Sequence, residues 1–441
     1  MEFCMQTGPR LYDRARRLIP GGTQLLSKRP EMFLPGQWPA YYAWAKGAKV
    51  ADLDGRVYTD MSISGVGACL LGYSDPDVSE AVRHAVEAGS MCTLNCPEEV
   101  ELAELLCELH PWAEMVRYAR CGGEAMSVAV RIARAATGRD VVAFCGYHGW
   151  SDWYLAANLA SAETLNPHLL AGLDPNGVPR GLEGTAIPFR YNRADELRAI
   201  ADSHHGRLAA VVMEPVRDKQ PDPGFLDEVR SIADQTGAVL IADEVSMGWR
   251  LVTGGAHLNY GLLPGIAVFA KAISNGHPMA AIIGTRRIME AAQASFISST
   301  YWTDRVGPAA ALATIRKLRR ENVAANLALT GDRIKAGWRE AADRAGLDIT
   351  IGGLAPLPRF TLNCAEPQTA RTLFTQLMLD RGHLATNTVY VTWAHRDAEV
   401  TGYLQAVENA FADLARAVAR GSVPAELRGP VAHSGFQRLT G

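Results

Sequence analysis

Four short apolar runs, LAAVVME (208–214), AVLIADE (238–244), IAVFA (266–270) and AAIIGT (280–285), follow one another along the middle of the chain. None alternates polar with apolar residues. A strand with one wet face would show a polar residue at every second position, so these runs suit strands buried on both faces. Two earlier runs, MVRYA (115–119) and VVAFC (141–145), extend the pattern, and a helix is expected from Gly123 to about Ala136. Helical stretches lie between several of the others. Strand and helix alternating in this way predict an α/β fold, with a mostly parallel sheet covered by helices.

Outward from this core the pattern changes. Residues 9–19 have helical spacing and stop at Pro20-Gly21-Gly22. Residues 50–61 read as a hairpin around Asp54-Gly55, a strong turn pair. Pro76 and Pro97 stand where helices over 76–88 and 97–110 should begin. Beyond about residue 308 come long helical patterns and two short strands near 348–362. A helix near 367–381, strands near 384–392 and a helix over about 396–420 follow. This is the signature of a smaller α+β domain. The tail, 421–441, is rich in Gly and Pro and is expected to be irregular.

Composition narrows the function. There are 44 basic and 47 acidic residues, a net charge of −3. Without a basic excess, nucleic acid is not expected as the main partner. A hydrophobic share of 48% and a charged share of 21% are ordinary for a globular chain. No apolar run approaches the roughly 20 residues that span a bilayer. The first residues lack a basic region followed by an apolar core, so no secretory signal is expected. Eight cysteines, at 4, 69, 92, 96, 107, 121, 145 and 364, form no Cys-x-x-Cys pair. They read as buried, reduced thiols in a cytoplasmic protein.

Open α/β sheets place their sites at strand ends. Asp243 and Glu244 close one apolar run and Lys271 closes another. A carboxylate there must be paired or functional, and a desolvated lysine loses its proton readily and becomes a nucleophile. Each residue alone also reads as a solvated loop charge. Together they suit a cofactor with a basic ring nitrogen and an aldehyde. Ala119-Arg-Cys-Gly-Gly-Glu-Ala125 joins a strand to a helix, where Gly122 and Gly123 leave backbone N–H groups able to cradle a phosphate. Tyr147, in Gly146-Tyr-His-Gly-Trp150, follows another strand and can stack on a planar ring.

On these residues the chain resembles the class III aminotransferase family of pyridoxal-5′-phosphate (PLP) enzymes. The resemblance runs from about Tyr12 to Val418 and is closest to the glutamate-1-semialdehyde aminomutase branch. Its markers are Ile19-Pro-Gly-Gly22, Leu53-Asp-Gly55, Tyr147-His-Gly149, Glu214-Pro215, Asp243-Glu-Val245 with Gly248-Trp-Arg250, and Lys271. It implies fold type I: a large domain with a mostly parallel seven-stranded sheet plus a smaller α+β domain. The expected division is an N-terminal segment at 1–60 grouped with the small domain, a PLP-binding domain at 61–320, and the small domain and tail at 321–441. Lys271 resembles the lysine that holds PLP as a Schiff base and moves the proton. Asp243 resembles the acid on the pyridine nitrogen, Tyr147 and Val245 the contacts on the two ring faces, and Gly122 and Gly123 the phosphate loop. Thr300 resembles a threonine that reaches the phosphate from the partner subunit, which implies a homodimer with shared sites. His148 and Glu214 match positions near the ring. The reaction implied is transamination between a small-molecule amino donor and an acceptor.

There are departures from the aminomutase pattern. The phosphate loop reads Cys121-Gly-Gly123 instead of Ser-Gly-Thr, and Tyr301–Pro308 replaces a shorter stretch. Ser64-Gly-Val-Gly67 stands where an indole is usual, which opens room for a larger substrate. Gly22–Arg29 lacks the usual arginine pattern, although Lys28 or Arg29 could meet an anion. These variants resemble family members that handle sugar-like or complex amines. An isomerase, either aminomutase or epimerase, uses the same residues and is the alternative. A nucleotide-dependent dehydrogenase is the more distant one: its nearest glycine run is Gly65-Val-Gly67, with Leu70 in place of the third glycine. His204-His205 lies in a polar loop without zinc-site spacing, so no metal is expected.

Overall fold

The computed structural model describes residues 7–161, 163–168 and 171–435. Cys4, the extreme N-terminus and the last six residues of the tail lie outside them. The chain groups into two compact units: Pro76–Ala325, and a second made of residues up to Asp75 with Asn326 onward. The boundaries therefore fall at 75/76 and 325/326, not at the expected 60/61 and 320/321. Residues 61–75 stay with the second unit because Tyr390 N donates to Ser62 O, Trp393 N to Leu70 O, and Gly47 N to Tyr73 O.

Pro76–Ala325 is built on a seven-stranded sheet. Its spatial order is Met115–Ala119, Ala280–Gly284, Ile266–Phe269, Val239–Asp243, Leu208–Met213, Val141–Cys145 and Ala186–Pro188. Only Ala280–Gly284 runs against its neighbours. Every residue of Val141–Cys145, Leu208–Met213 and Val239–Asp243 is buried. Alternate side chains go to opposite faces. Val142, Phe144, Ala210, Val212 and Ile241 meet the apolar side of the helix Gly122–Thr137. Val141, Ala143, Cys145, Val211, Met213 and Leu240 pack with residues of the helices Ala194–Ser203 and Phe225–Thr236. Two covered faces explain runs without polar alternation, and each large side chain so buried contributes about 1.5–3 kcal/mol. The edge strand Ala186–Pro188 escaped the sequence reading. It is three residues long and contains a proline, tolerated there because an edge position needs fewer ladder donors.

The second unit holds a four-stranded sheet of Tyr42–Lys46, Lys49–Asp52, Val57–Met61 and His383–Ala385. The hairpin turn is fixed by Asp52 Oδ1, which accepts Asp54 N and Arg56 N at 2.9 Å each. A two-stranded ribbon joins Ile349–Gly352 to Arg359–Leu362, with long helices at Val323–Ala345, Pro367–Asp380 and Asp397–Arg420. The expected strands near 384–392 are realised only at His383–Ala385. Beyond them Val389 N and Val391 N bond Pro358 O and Pro356 O in a loop, so no regular ladder forms. The tail is not wholly irregular, because Val423–Glu426 makes one helical turn. Ser64, Gly65, Val66 and Gly67 all have positive φ, and the next helix begins only at Pro76. That geometry rules out a dinucleotide fingerprint at this glycine run.

Candidate active site

The strand ends gather the chemistry on one edge of the sheet. Lys271 follows Ile266–Phe269 and has φ +48°, a left-handed conformation that is unfavourable for a residue with a side chain. Its Nζ donates to Ser246 Oγ at 2.9 Å. Desolvation first, then the Arg217 guanidinium, pull the ammonium down to about 8. The neutral amine is thus available near physiological pH. Ser246 was not singled out in the sequence. Its signal was a hydroxyl three residues after a strand-end aspartate, too common to stand out.

Asp243 ends the neighbouring strand. Its Oδ1 accepts Val245 N at 2.9 Å and its Oδ2 accepts His148 Nδ1 at 2.7 Å. His148 Nε2 lies 3.0 Å from Cys145 O. The adjacent Glu244 is fully buried and serves a different purpose. It accepts Ala256 N, His257 N and His257 Nδ1, each within 2.8 Å, while Trp112 Nε1 donates to His257 Nε2. Burial pushes His110 down to about 4, and its Nε2 accepts Gly255 N. This network ties the loop after Asp243 to the unit's interior. Sequence reasoning missed it because its members lie 12 to 145 residues apart.

The loop after Met115–Ala119 approaches both neighbours closely. A methyl at Gly122 would lie 2.8 Å from Val245 Cγ1 and 3.6 Å from Ala270 Cβ. A methyl at Gly123 would lie 3.3 Å from Trp150, and one at Gly149 would lie 3.0 Å from Gly123 Cα. These glycines leave a shallow cradle at the start of the helix Gly122–Thr137, whose N-cap Cys121 makes no side-chain cap bond. The first backbone N–H groups of such a helix suit an anion. Glu124 instead reaches back, accepting Arg120 N at 2.8 Å. Cys121 is exposed, as is Cys92, contrary to the expectation of buried thiols; of the described cysteines, Cys145 is buried. Cys121 is exposed because it occupies a loop at the rim rather than a packed strand.

Tyr147 is half-buried, edge-on to Tyr154 at 5.7 Å. Glu214 follows Leu208–Met213, and a methyl at Gly146 would stand 3.2 Å from its Oε2. Burial pushes the Glu214 carboxyl up. Thr300 is exposed at the start of a short turn and is not part of the buried group. That turn is tied to the cradle by Arg120, whose Nη2 donates to Trp302 O and Asp304 O. Lys28 and Arg29 belong to the other unit.

A phosphorylated pyridine aldehyde fits this set. There is a desolvated amine at 271, a fixed carboxylate at 243 and a side-chain-free cradle at 122–123. Among the described residues, no three His, Cys, Asp or Glu side chains form a metal cluster.

Comparison with known proteins agrees. The Aminotransferase class-III family matches residues 35–354. Glutamate-1-semialdehyde 2,1-aminomutase of Dechloromonas aromatica is 34% identical over 92% of this chain and 98% of its own. A 2′-deamino-2′-hydroxyneamine transaminase of Streptomyces kanamyceticus is 32% identical over 78% of this chain and 83% of its own. The FumI protein of Sphingopyxis sp. MTA144, solved with PLP, superposes with a TM-score of 0.84 at 27% identity, covering 93% of this chain and 97% of that one. The chain is a fold type I, PLP-dependent enzyme and belongs to the class III aminotransferase family.

Proposed function

We propose that this protein transfers an amino group from an amine or amino-acid donor to the carbonyl of a sugar-like or other complex acceptor, which leaves as the amine, in a biosynthetic route. The observation that carries the chemistry is the pair of strand ends, Lys271 on Ser246 and Asp243 on His148. The aminoglycoside-precursor transaminase among its relatives supports the substrate class.

PLP, when bound, supplies an aldehyde that joins the amine and a cationic ring that takes up an electron pair. Asp243 would keep the ring nitrogen protonated, and His148 and Val245 N hold that carboxylate in place. Lys271 would hold the cofactor through its Nζ, and the same amine, neutral near physiological pH, would move a proton at the amine-bearing carbon. Ser246 Oγ accepts an N–H of that amine and orients it. The cradle at Gly122 and Gly123 would receive the phosphate, while Tyr147 and Val245 would confine the ring. His148 and Glu214 would lie near the ring.

Two sites per homodimer complete the reading. Thr300, exposed beside the cradle's own Arg120 tether, is offered to the partner's phosphate. No helix among the described residues is long and apolar enough to cross a membrane. The free thiols, Cys92 and Cys121 exposed among them, suit a reducing compartment, and we place the enzyme in the cytoplasm.

The second reading is an isomerase, favoured by the aminomutase relative. The deciding experiment follows the cofactor's absorbance while an amino donor is added without acceptor. Stoichiometric conversion with release of the donor's keto acid supports transfer. Isomerised substrate with no free keto acid supports the alternative.

A further inference from the structure

Trp150 closes the loop 146–150 that follows the strand Val141–Cys145, and nothing in the mechanism above uses it. Its side chain is 72% exposed, although tryptophan is on average a well-buried residue. Among the described residues its Nε1 donates to no acceptor. The loop is nevertheless fastened to the first turn of the helix Gly122–Thr137. The Ser127 and Ser151 hydroxyls lie 2.6 Å apart, and both reach Gly123 O, at 3.0 and 3.3 Å. Gly149, at φ +105°, brings its backbone so near that a methyl there would stand 3.0 Å from Gly123 Cα.

Three observations put the indole at the cradle. A methyl at Gly123 would lie 3.3 Å from both Cδ1 and Nε1 of Trp150, so the N–H edge of the ring occupies the space in which a side chain at 123 would stand. The cradle has no hydroxyl of its own: Cys121 makes no side-chain cap bond, and residues 122 and 123 are glycines. Its backbone donors are open, since among the described residues Ala125 N, bonded to Cys121 O, is the first of the helix to find a carbonyl. Glu124, the acid of that first turn, is taken up by Arg120 N.

We infer that Trp150 holds the phosphate of the cofactor: its indole N–H takes the place of a side-chain donor at residue 123, beside the open backbone N–H groups of Gly122 and Gly123. An indole N–H donates and has no lone pair to turn toward an anion. The ring has two rotatable bonds and a loop pinned through Ser127 and Ser151, so little freedom is lost when it engages a ligand. One loop then serves three parts of the cofactor: Tyr147 the ring face, His148 the carboxylate of Asp243, and Trp150 the phosphate. The assignment rests on the reading of Gly122 and Gly123 as the phosphate cradle and adds a side-chain donor to it.

The test uses the full chain stripped of cofactor, as wild type, Trp150→Phe and Trp150→Ala. Affinity is measured by absorbance titration for PLP and for pyridoxal, which lacks the phosphate. The readout is the ratio of the two, which cancels any effect passed through Lys271 or the ring contacts. Loss of a charge-assisted contact predicts a roughly 10- to 150-fold fall in that ratio for Trp150→Phe, with pyridoxal affinity unchanged. Inorganic phosphate competing with PLP should lose potency by a similar factor. Gly123→Ser should act with opposite sign in two backgrounds. With Trp150 present, its side chain meets the indole at 3.3 Å and lowers the ratio. In Trp150→Ala, the vacated space admits the hydroxyl and the ratio rises. An unchanged ratio in Trp150→Phe, or the same sign for Gly123→Ser in both backgrounds, overturns the assignment. Equal loss for PLP and pyridoxal, together with a changed oligomeric state by size exclusion, would make the indole an interface residue and overturns it too. A wild type that binds PLP no more tightly than pyridoxal refutes the cradle reading itself.

Discussion

His148 Nδ1 donates to Asp243 Oδ2 across 2.7 Å, and neither side chain is more than 4% exposed. The other carboxylate oxygen accepts Val245 N, and the other ring nitrogen meets the Cys145 carbonyl. One oxygen is thus held by Asp243's own loop and the other by the loop of a different strand. A carboxylate fixed from both sides is aimed before a ligand arrives, which is what electrostatic catalysis requires.

Asp243→Asn is expected to leave the fold and most cofactor binding intact while slowing the proton-transfer step. An amide fills the same space but cannot hold a ring nitrogen cationic. The loss should be about 4 kcal/mol, or roughly a thousandfold in rate. Stopped-flow absorbance with a saturating donor measures it. A fall smaller than about tenfold, near 1.4 kcal/mol, would make Asp243 merely structural.

Lys271 predicts a pH effect. Desolvation and Arg217 lower its folded-state value to about 8 from an unfolded value of 10.5. Between those pH values the unfolded chain holds a proton that the folded, cofactor-free chain has released. Stability contributed by this residue therefore rises with pH across the window. Lys271→Met should be more stable than wild type at pH 7, with the difference shrinking toward pH 10.5. Urea midpoints of the two cofactor-free proteins at both pH values test this. The same variant should show no turnover and no borohydride-trapped cofactor.

Gly122→Ala places a methyl 2.8 Å from Val245 Cγ1, closer than carbon atoms settle. Overpacking of this kind costs about 1–3 kcal/mol. The strain falls where the cradle meets Val245, so cofactor retention should drop more than global stability. Dialysis against buffer, followed by absorbance and thermal melting, separates the two.

His257→Ala removes one of three N–H groups that satisfy the wholly buried Glu244 and leaves Trp112 Nε1 without its acceptor. Leaving a buried carboxylate one donor short costs about 1–3 kcal/mol. Denaturant unfolding should show the loss, and His257→Gln, which keeps a donor, should recover part of it.

Thr300→Ala is expected to weaken cofactor binding by about 1.5–3 kcal/mol without altering the chemistry. Mixed with Lys271→Ala protein, it should form dimers in which one site carries both defects and the other neither. Sites with wild-type cofactor affinity would then appear on subunit exchange. Exchange without such sites would place Thr300 outside any shared site.

Asp243 and Lys271 were legible because a charge at the end of a continuous apolar run has few explanations. The sheet itself was legible for the same reason, since strands covered on both faces have no polar alternation to blur them. The Arg217–Glu214 ion pair was not legible: a charged residue in a polar loop has no local signal. The three-residue strand Ala186–Pro188 was too short for periodicity to register.

Local sequence determined the longer strands of the seven-stranded sheet, where they end and which residues stand at the ends, because side-chain burial follows the period of each element. It also determined that glycines occupy 122, 123 and 149. Only the tertiary structure decided what those residues touch. That His148 meets Asp243, that Gly122 faces Val245 and that His257 closes on Glu244 depend on the spatial order of strands far apart in the chain. Contacts of that kind arise from packing several elements at once, and no periodicity within one segment encodes them.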